Sequence, residues 1–482
     1  MHRTRDEGVT WERISPDLTA NDPRYRGVYS GTPITLDGTG EEMYATLYAI
    51  RESPLKAGVI WAGANDGPIH VTRDNGKTWN NVTPKGLPPG GRVQNIDPSP
   101  HRAGAAYVAV LRHLLGDFQP YIYKTEDYGA TWTRLTSGSN GIPADHPTRV
   151  VREDPSRPGL LYAGTEFGMF ASFDDGAHWR PLQLNLPITP VTDIAVHRQD
   201  IVISTQGRSF WILDDLTPLQ QLNDAVSARS AHLFAPRTAI RYRYSAGFGG
   251  AESERGAADD APQYPPAGAM INYWLASPTT GAVTLSILDA KGAVIRTFSS
   301  DSVRGGPGGR AAPPDLPARA GLNRFIWDMT YPGPWTANPA QRGRSGPMVA
   351  PGSFSVRLTA NGTSTTQPLV LRADPRGTRD GITQSVLDAQ FAFNFKVREL
   401  VSDANRVAER LRLAKIPALD AEFFTPPVRY SKPGLQAHIT YLYSMTTGAD
   451  QRVGRDAIER YAELRKALDA FTSRVPAAVG GP

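Results

Sequence analysis

The chain contains no cysteine among its 482 residues. Without thiols it can form no disulfide, no thiolate metal site and no cysteine nucleophile, although this absence leaves the cellular compartment open. No apolar run approaches the length of a membrane span, and the opening residues MHRTRDEG do not resemble a signal peptide. We therefore expect neither a membrane-spanning segment nor a signal peptide in this chain.

Several motifs of common enzyme classes are also missing. The sequence has no HExxH, no GxSxG, no P-loop and no GxGxxG after a predicted strand, which argues against zinc proteases, α/β-hydrolases and nucleotide enzymes. The net charge is +5, but lysine and arginine are scattered among acidic residues and form no basic run. These absences predict no metal, no cofactor and no nucleic-acid partner.

The chain does contain a repeat of the pattern [Ser/Thr]-x-Asp-x-Gly-x-x-Trp. TRDEGVTW, TRDNGKTW, TEDYGATW and SFDDGAHW occupy residues 4–11, 72–79, 125–132 and 172–179, and we name them boxes 1 to 4. The aspartate can accept hydrogen bonds from backbone N–H groups two residues on, and the glycine can supply the positive φ of a tight turn. The tryptophan can anchor the next strand against a neighbouring sheet. Because each position has a structural task, we expect the boxes to be architectural.

The spacing of the boxes indicates a propeller. Asp6, Asp74, Asp127 and Asp174 are separated by 68, 53 and 47 residues, and the last two intervals approach the roughly 40 to 50 residues of a four-stranded blade. Short β-rich runs such as VIWAGAND and LLYAGTE lie between the boxes. The predicted blades cover residues 44–83, 92–136, 148–186 and 191–222, the last of them without a box.

These segments carry a family resemblance. The boxes resemble the Asp-box (BNR) repeat of sialidases, sortilins and xyloglucanase-type glycoside hydrolases. VIWAGANDGPIHVTRDNGKTWNNVTPKGLP, PYIYKTEDYGATW, VVREDPSRPGLLYAGTE and QGRSFWILDD are similar to the large bacterial proteins called sortilin-like or BNR-repeat glycosyl hydrolases. The resemblance covers nearly the whole chain. It implies a β-propeller followed by a β-sandwich and a helical tail, in a secreted or periplasmic protein.

The sequence beyond the blades agrees with that order. Residues 245–268 are rich in glycine, alanine and proline, which is typical of a linker or long surface loop. Phe354, Val356 and Leu358 then alternate as in a half-buried strand, followed by a turn at residues 361–362. We predict a mainly β fold with propeller blades at 1–244, a linker at 245–268, an immunoglobulin- or fibronectin-like sandwich at 269–375 and a helical region at 380–476.

The helical region shows a different period. Apolar residues recur at steps of three and four, which places them on one helix face, and Pro417 is expected to stop this helix. Two further helices are predicted near residues 435–445 and 455–471. The apolar face of the first helix consists of Phe393, Val397, Leu400, Ala404, Val407 and Leu411.

Met1 falls inside a predicted blade. An incomplete blade exposes unpaired strand edges, so we expect a chain that is truncated, with the missing part of the propeller in a longer protein. The alternative is that strands within AHLFAPRTAIRYRY, residues 231–244, close the ring.

Candidate functional residues lie in the loops between the second and third strand of each blade. In a propeller these loops gather on the face of the central funnel, opposite the box turns. Asp66 and Glu166 are expected to leave a second strand at the same place, after WAGAN and YAGT. The other candidates, as residues that bind substrate, are Asn65, Arg112, His113, Asp117, Phe167 and Arg208.

Three functions remain open for this face. Glycoside hydrolysis needs two carboxylates across a cleft, and Asp66 and Glu166 are the candidates, with Phe167 as apolar cover. The face can instead belong to a non-catalytic module that binds a glycan or a peptide. It can also be a purely structural part of a larger secreted protein, since Asp66 and Glu166 both lie next to turn glycines and a lone histidine such as His113 is more often structural.

Overall fold

The computed structural model describes residues 1–25, 45–243, 267–279, 281–301, 316–338 and 345–476. It divides into two compact units. The first comprises Met1–Gln220, and the second comprises residues 221–243 together with the described residues from 267 onward.

The first unit consists of antiparallel sheets that follow one another along the chain. Within each sheet the strands pair in chain order, and the first strands of successive sheets contact each other, so they are the innermost strands. This is the arrangement of propeller blades, and the prediction of a mainly β fold built from such blades is confirmed. A short strand pair, β1 (His2–Arg3) and β2 (Glu12–Arg13), precedes blade 1.

Blades 1 to 3 have four strands each and blade 4 has three. Blade 1 is β3 (Leu47–Glu52), β4 (Ile60–Ala64), β5 (Ile69–Thr72) and β6 (Asn80–Asn81), and blade 2 is β7 (Arg92–Pro98), β8 (Ala106–Leu111), β9 (Tyr121–Thr125) and β10 (Thr133–Arg134). Blade 3 is β11 (Thr148–Glu153), β12 (Leu161–Thr165), β13 (Gly168–Ser172) and β14 (Arg180–Pro181), and blade 4 is β15 (Val191–His197), β16 (Asp200–Thr205) and β17 (Phe210–Leu213).

Small residues in the second strands let the blades approach each other. A Cβ atom on Gly63 would lie 2.3 Å from Val93 in the first strand of the next blade. A Cβ atom on Gly164 would likewise lie 2.8 Å from Val191. The glycines in WAGA and YAGT are therefore required by close backbone packing, which the largely buried strands β4 and β12 display.

The four boxes form the same hydrogen-bonded turn. In box 2 the Asp74 carboxylate accepts the backbone N–H of Thr78 at 2.9 Å and its hydroxyl at 2.6 Å, while the Thr72 hydroxyl accepts the N–H of Gly76 at 2.9 Å. Asn75 and Gly76 both have positive φ, at 64° and 92°. Boxes 1, 3 and 4 repeat these bonds within 0.1 Å, with a histidine ring nitrogen in place of the second hydroxyl in box 4.

Three of the box tryptophans join neighbouring blades. The indole N–H of each donates to a backbone carbonyl that follows the outermost strand of the preceding sheet. Trp11 differs, because its indole bonds to Gly8 of its own box and 61% of the residue is exposed. The three bonds that join sheets run from Trp79 to Ile14 (2.8 Å), from Trp132 to Val82 (2.6 Å) and from Trp179 to Leu135 (3.0 Å).

The second unit contains two sheets that share one core. Trp327, Tyr273 and Leu233 from the three-stranded sheet pack with Val356 and Leu371 from the five-stranded sheet. The likeness to immunoglobulin or fibronectin domains stays a prediction. The smaller sheet is β18 (Ala231–Leu233), β20 (Ala269–Leu275) and β23 (Gly321–Trp327), the larger is β19 (Ala239–Arg241), β21 (Thr284–Leu288), β22 (Val294–Ser299), β26 (Gly352–Ala360) and β27 (Thr363–Ala373), and β24 (Thr330–Pro332) pairs with β25 (Ser345–Met348).

Residues 231–241 do not close a propeller ring. Strand β18 pairs with β20, and β19 pairs in parallel with β27, so both belong to the second unit. The alternative that this segment completes the propeller is therefore wrong, because its backbone hydrogen bonds are used by the other sheets. Residues 221–243, which the sequence analysis placed with the blades, belong to the second unit. The predicted linker falls almost entirely outside the described residues, and the other domain boundaries stay predictions.

The helices occupy the regions that the apolar period indicated. The long helix begins after Thr383, whose hydroxyl accepts the N–H of Val386, and it ends before Lys415, which has a φ of 53°. Pro417 is the first residue of a separate short helix rather than a simple stop. Two short helices, α1 (Thr217–Gln221) and α2 (Asp224–Ser227), follow blade 4, and the C-terminal set is α3 (Pro375–Arg379), α4 (Gln384–Ala414), α5 (Pro417–Phe423), α6 (Leu435–Thr447) and α7 (Arg455–Thr472).

The helices form a core of their own and are tied to the five-stranded sheet. Val397, Ile439 and Leu468 are fully buried where α4, α6 and α7 meet. Arg241 of strand β19 donates two hydrogen bonds, at 2.6 and 2.9 Å, to the carboxylate of Asp450 in the loop after α6. Across the described residues, none of the helices combines the length and the apolar character that a membrane span requires.

Candidate functional site

The strand order places the candidate loops at one end of the blades and the boxes at the other. In each of blades 1 to 3 the box joins the third strand to the fourth, while the loop between the second and third strands lies at the opposite end. We name these the box end and the loop end. Every site residue predicted from the sequence belongs to the loop end.

A β-bulge recurs at the loop end of all four innermost strands. The pairing between the first and second strand skips one residue in each blade, and that residue is Tyr48, Gln94, Arg149 or Thr192. A bulge adds a residue without a partner in the ladder and redirects its side chain. Each blade therefore presents one additional side chain at an equivalent position, and we name these four residues the bulge row.

Arg149 connects blades 3 and 4 through this row. Its Nε donates to the Glu166 carboxylate at 2.7 Å, and its Nη2 donates to the Gln206 side-chain oxygen at 3.2 Å. The side chains of Arg149 and Glu166 are 14% and 17% exposed, so the ion pair is mostly shielded from water. Glu166 thus lies at the loop end with a cationic partner for its carboxylate, and its catalytic role stays a prediction.

His113 lies beside this ion pair. Burial lowers its pKa from the usual value, the charge of Glu166 opposes that shift, and Arg149 and Arg92 add to it. Its Nδ1 is buried and makes no hydrogen bond to any described residue. The charge of Glu166 therefore acts on His113, although the two residues come from different blades.

Phe167 projects next to Glu166. Its ring lies 4.7 Å from the ring of His146, and 45% of the residue is exposed. A large aromatic side chain that is fixed on one side and exposed on the other is suited to contact a ligand.

Asp66 has a different environment. Only 4% of the residue is exposed, and its Oδ2 accepts the backbone N–H of Asn21 at 2.9 Å. Its Oδ1 is buried without a hydrogen-bond partner among the described residues. Asp66 is therefore held at the loop end by the segment that precedes blade 1.

Asp66 and Glu166 do not leave their strands at the same place. The N–H of Glu166 bonds to Pro147, and the corresponding bond in blade 1 is made by Asn65, to Thr46. Asn65 is thus the counterpart of Glu166, because each is the first residue after the second strand of its blade. The expectation of equivalent positions is wrong by one residue, while the assignment of the two carboxyls as a catalytic pair stays a prediction.

Arg112 and Asp117 stabilise the long loop of blade 2. The Arg112 Nε donates to Asp117 at 2.8 Å, and its Nη1 donates to the carbonyl oxygens of Pro88, Pro89 and Gly90. Burial raises the pKa of Asp117, but hydrogen bonds from Arg112 and a tyrosine more than offset it, so the pKa lies below the usual value. These contacts give Arg112 a structural task, and its predicted role in binding a ligand stays a prediction.

Tyr48 and Arg92 form a second cluster in blades 1 and 2. The Arg92 guanidinium lies over the Tyr48 ring, 4.6 Å from its centroid, and its Nε donates to Asn65 at 2.7 Å. The Gln94 side chain donates to the Tyr48 hydroxyl at 3.3 Å. Asn65 thus orients Arg92 at the loop end, and its role in binding substrate stays a prediction.

Arg208 lies in the corresponding turn of blade 4. It is exposed, and its backbone carbonyl accepts the indole N–H of Trp211 at 2.8 Å. No described residue forms an ion pair or hydrogen bond with its guanidinium. Its charge is available at the loop end.

Sequence reasoning missed the innermost strands. The predicted site residues all lie in the loops between the second and third strands, and Tyr48, Arg92 and Arg149 of the innermost strands were not among them. The sequence does contain one signal for these arginines. An Arg-Val pair lies near the start of the first strand in blade 2, at Arg92, and in blade 3, at Arg149. No group of three acidic or histidine side chains among the described residues is arranged to hold a metal ion.

The comparisons with known proteins reach only part of the chain. No protein-family model matches it. An oligoxyloglucan-reducing end-specific xyloglucanase of Emericella nidulans is 25% identical over 186 residues, which are 34% of this chain and 22% of that enzyme. The match thus spans well under two thirds of the relative.

Solved structures show a similarly limited likeness. A GH74 enzyme of Niastella koreensis is 14% identical, with 67% of this chain and 45% of that chain covered and a TM-score of 0.29. YCF48 from Cyanidioschyzon merolae is 18% identical, with 35% and 53% covered and a TM-score of 0.26. Similarity of this extent carries no argument about activity, so the function has to be argued from the residues of this chain.

Proposed function

We propose that the loop end of the blades binds an oligo- or polysaccharide, in a protein of the secreted, sortilin-like BNR-repeat group. The observation that carries the proposal is the fixed polar contact that crosses from blade 3 to blade 4, where Arg149 holds Glu166 and Gln206, with the exposed ring of Phe167 beside it. Hydroxyl-rich ligands are recognised by such preorganised donors and acceptors together with an aromatic contact surface.

The electrostatics favour an uncharged ligand at this point. Arg149 and Glu166 neutralise each other, and so do Arg112 and Asp117. An ion pair that is already satisfied can still offer its remaining hydrogen-bonding groups to hydroxyls, whereas a charged ligand would have to displace one partner. The four boxes support the assignment to the BNR-repeat group, since all of them adopt one turn with the same hydrogen bonds.

The test is a titration of the whole chain with xyloglucan oligosaccharides, followed by calorimetry and by the shift in melting temperature. A ligand at a hundred times its dissociation constant is expected to stabilise the protein by about 2.7 kcal/mol. Phe167→Ala and Arg149→Gln should weaken binding. Trp11→Ala, which removes a similarly exposed aromatic from the box end, is the matched control and should not. Binding of a peptide library but of no glycan would favour the alternative of a peptide-binding module.

Hydrolysis is the second candidate, and the partial match to a xyloglucanase favours it. In this proposal Asp66 and Glu166 are the two carboxyls, with His113 and Phe167 beside the substrate. A separation near 5 Å would give retention, and one of about 6.5 to 9.5 Å inversion. Asp66→Asn and Glu166→Gln should each abolish release of reducing sugar without unfolding the protein. Wild-type protein that binds the oligosaccharide but never cleaves it would exclude this candidate.

A further inference from the structure

Tyr48 combines exposure with an unusually well-fixed ring. It is the bulge residue of the innermost strand of blade 1, and 43% of the residue remains exposed. In a regular strand its side chain would follow the alternation of the pleat, whereas the bulge turns it out of that pattern.

Three contacts fix the position of the Tyr48 ring, two of them directly and one through Arg92. The Arg92 guanidinium covers the ring at 4.6 Å, Asn65 fixes Arg92 at 2.7 Å, and Gln94 donates to the hydroxyl at 3.3 Å. The residues come from two neighbouring blades, so the position of the ring is set by the packing of the blades. A ring that is ordered before the ligand arrives loses little conformational freedom on binding.

We infer that Tyr48 is a stacking platform for one pyranose ring of the ligand, at a second subsite distinct from the one beside Phe167. This inference rests on the proposed function. Pyranose rings with equatorial hydroxyls, as in β-linked glucans, present flat C–H faces that fit an aromatic surface, while their hydroxyls point to the sides. Arg92 covers one face of the ring, and the Gln94 amide lies at its hydroxyl edge.

The contacts of Arg92 also distinguish this subsite from one that binds an acidic group. Arg92 is engaged with Asn65 and with the ring itself, so its charge serves to hold the aromatic surface. The subsite is therefore expected to discriminate by the shape of the sugar ring, and gluco-configured rings should be preferred to rings that carry an axial hydroxyl.

The test is calorimetric titration of the full chain with cellohexaose and with mannohexaose, whose rings carry an axial hydroxyl. Tyr48→Leu should weaken binding of cellohexaose by at least about tenfold, as expected for the loss of an aromatic contact. Tyr48→Phe should stay within about threefold, because the ring remains and only the hydrogen bond to Gln94 is lost. Tyr441→Leu, at a tyrosine of helix α6 that is 65% exposed, is the matched control and should bind as the wild type does.

The outcomes distinguish the inference from the proposed function. If Tyr48→Leu binds cellohexaose as tightly as the wild type while Phe167→Ala binds it weakly, Tyr48 does not stack on the sugar and the proposed function stands. Equal binding of cellohexaose and mannohexaose would contradict the selectivity for ring shape. If the wild type binds neither sugar nor xyloglucan oligosaccharides, both the proposed function and the platform fail.

Discussion

The two ends of the blades use the same kinds of residue for opposite purposes. At the box end, Asp74 and its three counterparts make the same hydrogen bonds, and the partners lie within the turn itself. At the loop end, the bulge residues make different contacts: Tyr48 packs against Arg92, while Arg149 bonds to Glu166. Repetition therefore marks the residues that build the fold, and variation at equivalent positions marks the residues that can recognise a ligand.

The largest effect on the free energy of unfolding is expected from removing a box tryptophan, which tests whether the box end is purely structural. Trp179 is 3% exposed and joins blade 3 to blade 2, so Trp179→Ala should lower the free energy of unfolding by about 3 to 5 kcal/mol. Trp11→Ala removes an exposed ring and should change it by less than about 0.5 kcal/mol. Urea denaturation of both variants provides the measurement, and equal losses would show that the boxes do not act through packing between blades.

A second prediction asks whether the loop end is also fixed by packing. Gly164 lies opposite Val150 just beyond the bulge, and a Cβ atom there would lie 2.7 Å from Val150. Gly164→Ala should lower the free energy of unfolding by about 1 to 3 kcal/mol through overpacking. Gly86→Ala is the control, because a Cβ atom on Gly86 meets no atom within 4 Å. A Gly164 variant as stable as the control would mean that the blades can separate at this end without loss.

A third prediction separates stability from binding at the loop end. Arg149→Gln should cost about 1.5 to 3 kcal/mol of stability, in the range of a hydrogen bond to a charged group. Binding of xyloglucan oligosaccharides should nevertheless weaken, because both Glu166 and Gln206 lose their common partner. Chemical denaturation and calorimetry on the same preparation measure the two effects. A large loss of stability with unchanged affinity would assign Arg149 to the scaffold.

The smallest expected effect is on the pKa of a box aspartate and on the stability of the box at acidic pH. Hydrogen bonds from the hydroxyl and the N–H of Thr78 lower the pKa of Asp74 from 3.8 to about 2. Because the folded pKa lies below the unfolded one, this stabilisation is present above about pH 4 and is lost as the pH falls towards 2. Thr78→Val should raise the pKa of Asp74, as measured by NMR titration of its carboxyl carbon. Thr131→Val, in box 3, should leave that pKa unchanged.

The parts of the fold that could be predicted from the sequence depend on local chemistry. The boxes, the turn at Asn361 and Gly362 and the apolar face of α4 each require particular residue types at fixed spacing. The bulges could not be predicted, because a bulge is defined by the register between two strands and leaves no fixed residue type. The one-residue error at Asp66 has another origin, since Asn65 directly follows β4 just as Glu166 directly follows β12.

The recurrent bulge has a consequence for how such a protein can change. The bulge residue takes no part in the ladder, so it can be exchanged without altering the register of its blade or the box at the other end. Each of the four blades thus offers one position where mutation leaves the backbone pairing of the blade unchanged. A library varied at Tyr48, Gln94, Arg149 and Thr192 alone would test whether the ligand preference of this end can change while the strand pairing stays the same.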